Sequence, residues 1–261
     1  MTGFDSHCHL DFLDQAGSFM AGAQLSGIGH WLLPGTGPEQ WQQAHRQFGD
    51  DKRVLLAAGH HPWFLPDGPA DTQRLENWLA RHNDGVALGE IGLDFSRHRP
   101  GTAAAAHQFD WFVAQLAIAS ERKLPVIIHS VKAHDRILQG LKQTPSVIGV
   151  IHGFVGPYAQ AMAYVDRGFC LGAGRVIFQS SKTLDAFSRI PADRILVETD
   201  APDQRVPDQY RSTLTPAEQK GSDNPLLDWS ATLARLADAR QLDPTSLMAQ
   251  VRRNAAALFG T

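Results

Sequence analysis

The chain of 261 residues contains no apolar run long enough to span a bilayer, and no charged, apolar and cleavable leader opens it. Cysteine is scarce: Cys8 and Cys170 are the only two, which excludes a disulfide framework and suits a reducing compartment. An excess of one charge is also lacking. Lys and Arg number 24 against 27 Asp and Glu, a net charge of −3, so the chain is no generic polycation, although a local basic patch could still hold phosphates. Linker-like stretches and low-complexity tracts are missing too, and residues 1–261 read as one domain. These absences predict a cytoplasmic protein with no membrane contact.

What is present is a repeated alternation. Apolar, β-branched runs begin at Phe4 (FDSHCH), Gly27 (GIGHWLLPG), Arg53 (RVLLAAGHHP), Gly85 (GVALGEIGLDF), Leu124 (LPVIIHS), Ser146 (SVIGVIHGF), Phe169 (FCLGAGRVIF) and Arg194 (RILVETDAP). Near-continuous apolar runs suit strands buried on both faces, as in parallel sheets. Helical segments separate them, near residues 13–26, 38–48, 71–82, 103–123, 133–142, 157–167, 180–189 and 225–240, and a last helix spans about 244–259. In the fourth, Phe109, Phe112, Val113 and Leu116 follow the i, i+3, i+4, i+7 spacing of one buried face. Pro38, Pro157 and Pro225 stand where helices begin, a position that tolerates a missing N–H. Eight such alternations in this length predict an α/β TIM (β/α)8 barrel. A doubly wound open sheet competes, weakened because no GxGxxG turn follows an early strand. The polar stretch Asp203 to Pro225 reads as a long loop after the eighth strand.

Metal-capable side chains fall on these strands. His7 and His9 alternate on the first, so both face one side; Glu90 lies in the fourth, His129 ends the fifth, His152 lies near the end of the sixth and Asp200 ends the eighth. In a barrel those ends converge on one mouth. One histidine at a strand end is ordinarily structural. Four histidines and two acids there are expensive to desolvate without a compensating ion, and this donor set suits Zn, Mn or Mg.

HCHLDF, GHHP, GEIGLDF, PVIIHS, IHGFVG and VETDAP, in that order, with RRNAAALFG near the end, resemble the TatD family of metal-dependent hydrolases in the amidohydrolase superfamily. The resemblance runs from Phe4 to Gly260. It implies a TIM barrel with a one- or two-metal centre and phosphodiester hydrolysis on DNA. Carried over residue by residue, it implies that His7, His9 and Asp200 hold one ion, and that Glu90 bridges to a second completed by His129 and His152. It implies two divalent ions per subunit (Zn, Mg or Mn) and DNA or another phosphodiester as substrate. Asp200 is the expected group to orient the attacking water or accept its proton, with Glu90 the alternative. A small-molecule amidohydrolase or lactonase using the same centre is the competing function. The superfamily's lysine-bridged branch is disfavoured, because Glu90 stands at the bridging position. The chain is expected to be a monomer with no obligate protein partner.

Other positions are open to two readings. His61 is either a contact for substrate phosphate or metal-bound water, or a loop histidine; His60, of opposite parity, reads as structural. Asp94 and Glu198 either orient ligand histidines or fill the barrel interior. Cys8 and Cys170 read as small buried hydrophobes. The family's arginine two residues after the strand-five histidine is Val131 here, leaving Lys132 as a candidate phosphate contact, and the serine after HGF is Val155. Gly174 is followed by Arg175 where the family often has a glycine pair. Arg97, Arg99, Arg175, Arg205 and Arg211 could bind phosphates, and Trp63, Phe64, Phe95 and Tyr210 could stack bases, or all could be ordinary loop composition.

Overall fold

The structure, a computed structural model, describes residues 2–25, 27–82, 85–96, 103–207, 209 and 226–260. In chain order the strands are β1 (Gly3–Asp5), β2 (Ile28–Leu33), β3 (Val54–Ala58), β4 (Ala87–Asp94), β5 (Val126–Val131), β6 (Gly149–Ile151), β7 (Cys170–Ala173) and β8 (Ile195–Val197). The helices are α1 (Ala16–Leu25), α2 (Pro38–Phe48), α3 (Gln73–Arg81), α4 (Ala105–Arg122), α5 (His134–Leu141), α6 (Tyr158–Val165), α7 (Ser181–Arg189), α8 (Leu226–Arg240) and α9 (Pro244–Phe259). The strands follow one another in sheet order β1 to β8 with helices between them, the (β/α)8 class expected from the alternation. Each predicted helix lies within three residues of its observed ends. Pro38 opens α2 and Pro157 caps α6, whereas Pro225 lies outside the described residues. Among the described residues no helix is long and apolar enough to cross a membrane.

The chain divides into two compact units. The first comprises Met1–Leu33, Gly153–Asp166 and Cys170–Thr261; in it β1 pairs with β2 and β7 with β8, all parallel. Two buried polar side chains lock its helices to its strands. The Trp229 indole N–H of α8 donates to the carbonyls of Phe4 and Val197, at 3.1 and 3.2 Å. On α9, the Asn254 amide donates to the carbonyls of Ala192 and Ile195, both at 2.8 Å, which gives the asparagine of RRNAAALFG a structural task. Phe154, Tyr164 and Phe187 pack edge to face beneath them. Cys8 and Cys170 are buried free thiols, as read from the sequence.

The second unit comprises Pro34–His152 and Arg167–Phe169, with β3, β4, β5 and β6 paired in parallel succession. All eight residues of β4 are buried. The buried face of α4 differs from the one predicted. It runs through Gln108, Trp111, Phe112, Gln115, Leu116 and Ala119, while Phe109 and Val113 are only half-buried. Phe109 instead carries the Arg136 guanidinium over its ring, 4.1 Å from the centroid. The apolar pattern misplaces the stripe because two glutamines belong to it.

Candidate metal centres

In the first unit the opening histidines stand beyond β1 and not on it. The ladder stops at Asp5, whose carboxylate accepts the His7 N–H at 3.3 Å and turns the chain. Extended pairing resumes at Cys8, which donates its N–H to Leu32 and bridges Ala201. The two rings still reach one carboxylate: His7 Nε2 is 3.5 Å and His9 Nε2 3.6 Å from Asp200 Oδ1. Asp200 likewise lies past its strand, three residues after β8, with φ of 53°, a left-handed conformation that aspartate tolerates. Its N–H donates to the His7 carbonyl at 2.8 Å, and its Oδ2 accepts the Gln204 amide at 2.6 Å.

A buried acid braces this arrangement, and a second lies two residues before Asp200. Asp5 accepts the Thr199 N–H at 3.0 Å and its hydroxyl at 2.7 Å, tying the residues before Asp200 to those before His7. Burial pushes the Asp5 carboxyl up to about 8, against these hydrogen bonds. Glu198 accepts the Gly153 N–H at 2.5 Å, and a Cβ on Gly172 would meet its carboxylate, so a larger residue there would displace it. Phe12, half-exposed, stacks on the His9 ring with centroids 5.2 Å apart. It is a site residue that sequence reading passed over, although its place in HCHLDF was a signal.

The second unit holds a cluster around Glu90 Oε1. His129 Nδ1 is 2.8 Å away, His61 Nε2 3.5 Å and His152 Nε2 3.6 Å. His129 lies inside β5, two residues before its end, and His152 directly follows β6. A Cβ on Gly92 would overlap the His129 carbonyl, so β4 passes His129 closely only with glycine there. The second His129 nitrogen, Nε2, meets Asp94 Oδ2 at 3.0 Å. Asp94 also accepts the Trp63 indole N–H at 2.8 Å and the Ser96 N–H at 2.7 Å. Burial alone would lower the His129 pKa, but its hydrogen bonds to Asp94 and Glu90 hold it above the ordinary value. Burial likewise would raise Asp94, yet hydrogen bonds from His129 and Ser96 keep it well below the usual carboxylate range. A histidine that gives one N–H to a carboxylate presents its other nitrogen to a metal, so Nδ1 is the atom with which His129 could hold one.

His61 is different. Its Nδ1 accepts the backbone N–H of Trp63 at 3.1 Å, which leaves the ring proton of the neutral form on Nε2. Burial pushes its pKa down to about 4, so it stays neutral and donates from Nε2. His60 points away, packed against Trp41 and Trp111 at 5.1 and 4.6 Å, in the structural place its parity suggested.

The donor set fits divalent ions. Ligand atoms 2.0–2.2 Å from a tetrahedral ion lie about 3.4 Å apart. The 3.5 and 3.6 Å separations of His7, His9, His61 and His152 from their carboxylate oxygens are long for hydrogen bonds and match that edge, and His61 is set apart only by the tautomer that puts its ring proton on Nε2.

Residues 4–260 match the family described as TatD related DNase. This chain belongs to that family, and with it to the metal-dependent hydrolases. It is 35% identical over 213 residues, 76% of this chain and 79% of the other, to the uncharacterized metal-dependent hydrolase YjjV of Escherichia coli K12. It is 32% identical over 243 residues to a protein of Citrobacter koseri named 3′-5′ ssDNA/RNA exonuclease TatD, covering 91% of this chain and 90% of that one. The crystal structure of E. coli YjjV superposes with a TM-score of 0.85 at 28% identity, over 99% of this chain and 98% of that one.

Against the TatD pattern, the residues outside the two clusters fall as follows. Lys132 is exposed with φ of 53° directly after β5, and Val131 beside it is half-buried. Arg175 opens a short turn after β7; with the Gln179 amide oxygen facing it, its Nε and Nη2 donate at 3.1 and 3.0 Å, bracing the guanidinium within its own turn. Arg205 is exposed. Phe64 is half-exposed beside the His61 ring, whereas Trp63 is anchored on Asp94. Phe95 is half-buried and donates its N–H to Val131. Arg97, Arg99, Tyr210, Arg211 and most of the loop after β8 lie outside the described residues.

Proposed function

We propose that this TatD-family chain hydrolyses phosphodiester bonds in DNA, working as one catalytic domain. His7, His9 and Asp200 would hold one divalent ion, and Glu90, His129 and His152 another, each Zn, Mg or Mn. The observation that carries this reading is the metal-edge spacing of the His7, His9 and His152 Nε2 atoms from Asp200 and Glu90. The relatives named as single-stranded DNA and RNA exonucleases support a nucleic-acid substrate. Such an ion supplies Lewis-acid polarisation of a phosphoryl oxygen and lowers the pKa of water. Asp200 positions the attacking water and takes its proton. It is favoured over Glu90 because its side chain is 13% exposed against 3%, so water reaches it. His61 donates Nε2–H to a phosphate oxygen, a neutral donor whose tautomer the Trp63 amide sets. Lys132 and Arg205 supply the outer phosphate contacts.

The test is incubation with Zn, Mn or Mg and end-labelled single- and double-stranded DNA and RNA, beside a panel of lactones, amides and small phosphoesters. Asp200→Asn and Glu90→Gln serve as controls. Cleavage of labelled DNA that both substitutions abolish is the expected result. Turnover confined to lactones or amides would overturn the nuclease reading.

A further inference from the structure

Two glutamines on α4 stand in its buried stripe seven residues apart, on one face of the helix. Both are almost fully buried, Gln108 at 2% and Gln115 at 1% exposure. A buried amide is costly unless its donor and acceptor are both used. Each here uses both on the backbone of one residue of the second unit. Gln115 Oε1 accepts the His60 N–H at 2.7 Å, and its Nε2 donates to the His60 carbonyl at 3.1 Å. Gln108 Oε1 accepts the Asp94 N–H at 2.7 Å, while its Nε2 donates to the carbonyls of Asp94 at 3.0 Å and Ala103 at 2.8 Å.

We propose that Gln108 and Gln115 are positioning residues for the Glu90 cluster, setting the backbone from which Asp94 and His61 address it. Neither touches a ligand imidazole. Gln108 holds Asp94, which in turn holds His129 Nε2. Gln115 holds residue 60, next to His61, and Trp111, between the two glutamines on the helix, seats the His60 ring. Asp94 joins the two arms by accepting the Trp63 indole N–H, and the Trp63 backbone N–H sets the His61 tautomer. One rigid helix therefore controls the approach of two histidines that come from different strands. Helical placement of this kind gives finer control than a loop can.

The inference rests on the metal reading of the Glu90 cluster, and cobalt titration followed by visible absorption separates the two. Wild-type protein that takes up no Co2+ sinks the metal reading itself. Given uptake, Gln108→Leu should weaken one cobalt equivalent by about 10-fold or more and leave the other unchanged, whereas Gln115→Leu, acting on His61, should keep both equivalents and lower kcat/KM about 10-fold. Gln108→Glu and Gln115→Glu guard against misfolding. Glutamate keeps one acceptor but sets a second oxygen against the facing carbonyl, and protonating that oxygen restores a donor of nearly the same shape. The cobalt affinity of Gln108→Glu and the kcat/KM of Gln115→Glu, each relative to wild type at the same pH, should thus climb toward one as pH falls from 8 to 6. Gln108 variants that lose thermal stability while both cobalt equivalents keep wild-type affinity, or Gln115 variants that lose it while kcat/KM keeps its wild-type value, at every pH, would show a purely structural role and overturn the proposal.

Discussion

His129 is held at both ring nitrogens, with Nδ1 2.8 Å from Glu90 Oε1 and Nε2 3.0 Å from Asp94 Oδ2. The two carboxylates have separate tasks, since Glu90 collects three histidines while Asp94 turns one of them. Asp94→Asn preserves the shape but removes the charge that fixes the ring. We predict metal affinity 10- to 100-fold weaker at one of two sites, roughly the cost of losing such a partner elsewhere. Isothermal titration with Zn2+ or Mn2+ reads this, and an unchanged isotherm would refute the role of Asp94.

His61 should separate catalysis from metal binding. Because Nδ1 accepts the Trp63 N–H, His61 offers a proton and not a lone pair from Nε2. His61→Phe is expected to lower kcat/KM on single-stranded DNA roughly 100-fold or more, with metal stoichiometry by mass spectrometry unchanged. Loss of a metal equivalent would make His61 a ligand instead.

The pH dependence of folding should carry the mark of His60. Burial holds its pKa at about 4, against an ordinary 6.5. Between those values the unfolded chain binds a proton that the folded one refuses, so stability rises with pH across the window. The contribution is complete above 6.5 and lost as pH falls to 4. Asp5, pushed up to about 8, has the opposite slope: its contribution is complete below 3.8 and lost as pH rises through 8. Comparing wild type with His60→Phe cancels the Asp5 part. In metal-free urea unfolding, the stability gained from pH 4 to 7 should be smaller in the variant by on the order of 3 kcal/mol. Parallel pH profiles would contradict this.

Asn254 predicts a stability effect remote from the chemistry. Asn254→Leu removes the α9 amide that donates to the Ala192 carbonyl ahead of β8 and the Ile195 carbonyl at its start. A loss of about 1–3 kcal/mol for each unsatisfied buried group is expected in urea unfolding. A midpoint within error of wild type would show that other donors reach those carbonyls.

The sequence by itself determined the alternation of eight strands and their helices, the order of the motifs and the identity of the metal-capable side chains. Those features are local: runs of apolar residues, helical spacing, and residue types at strand ends. It offered Asp94 and Glu198, by parity, as partners of histidines or as interior fillers; Asp94 meets His129, whereas Glu198 accepts the Gly153 backbone N–H. Tertiary structure decided the rest. The chain turns after Asp5 because a carboxylate captures the next amide but one, so His7 and His9 follow β1 instead of lying on it. Asp200 reaches its histidines from a left-handed conformation that no strand pattern encodes. The buried face of α4 turned on Gln108 and Gln115, polar by composition, which are buried because residues 14 and 55 positions away use up their hydrogen bonds. Which nitrogen of each imidazole faces a carboxylate is likewise set by partners such as Glu90, 39 residues from His129. Hydrogen bonding between distant residues has no period along a chain, so only the folded molecule assigns it.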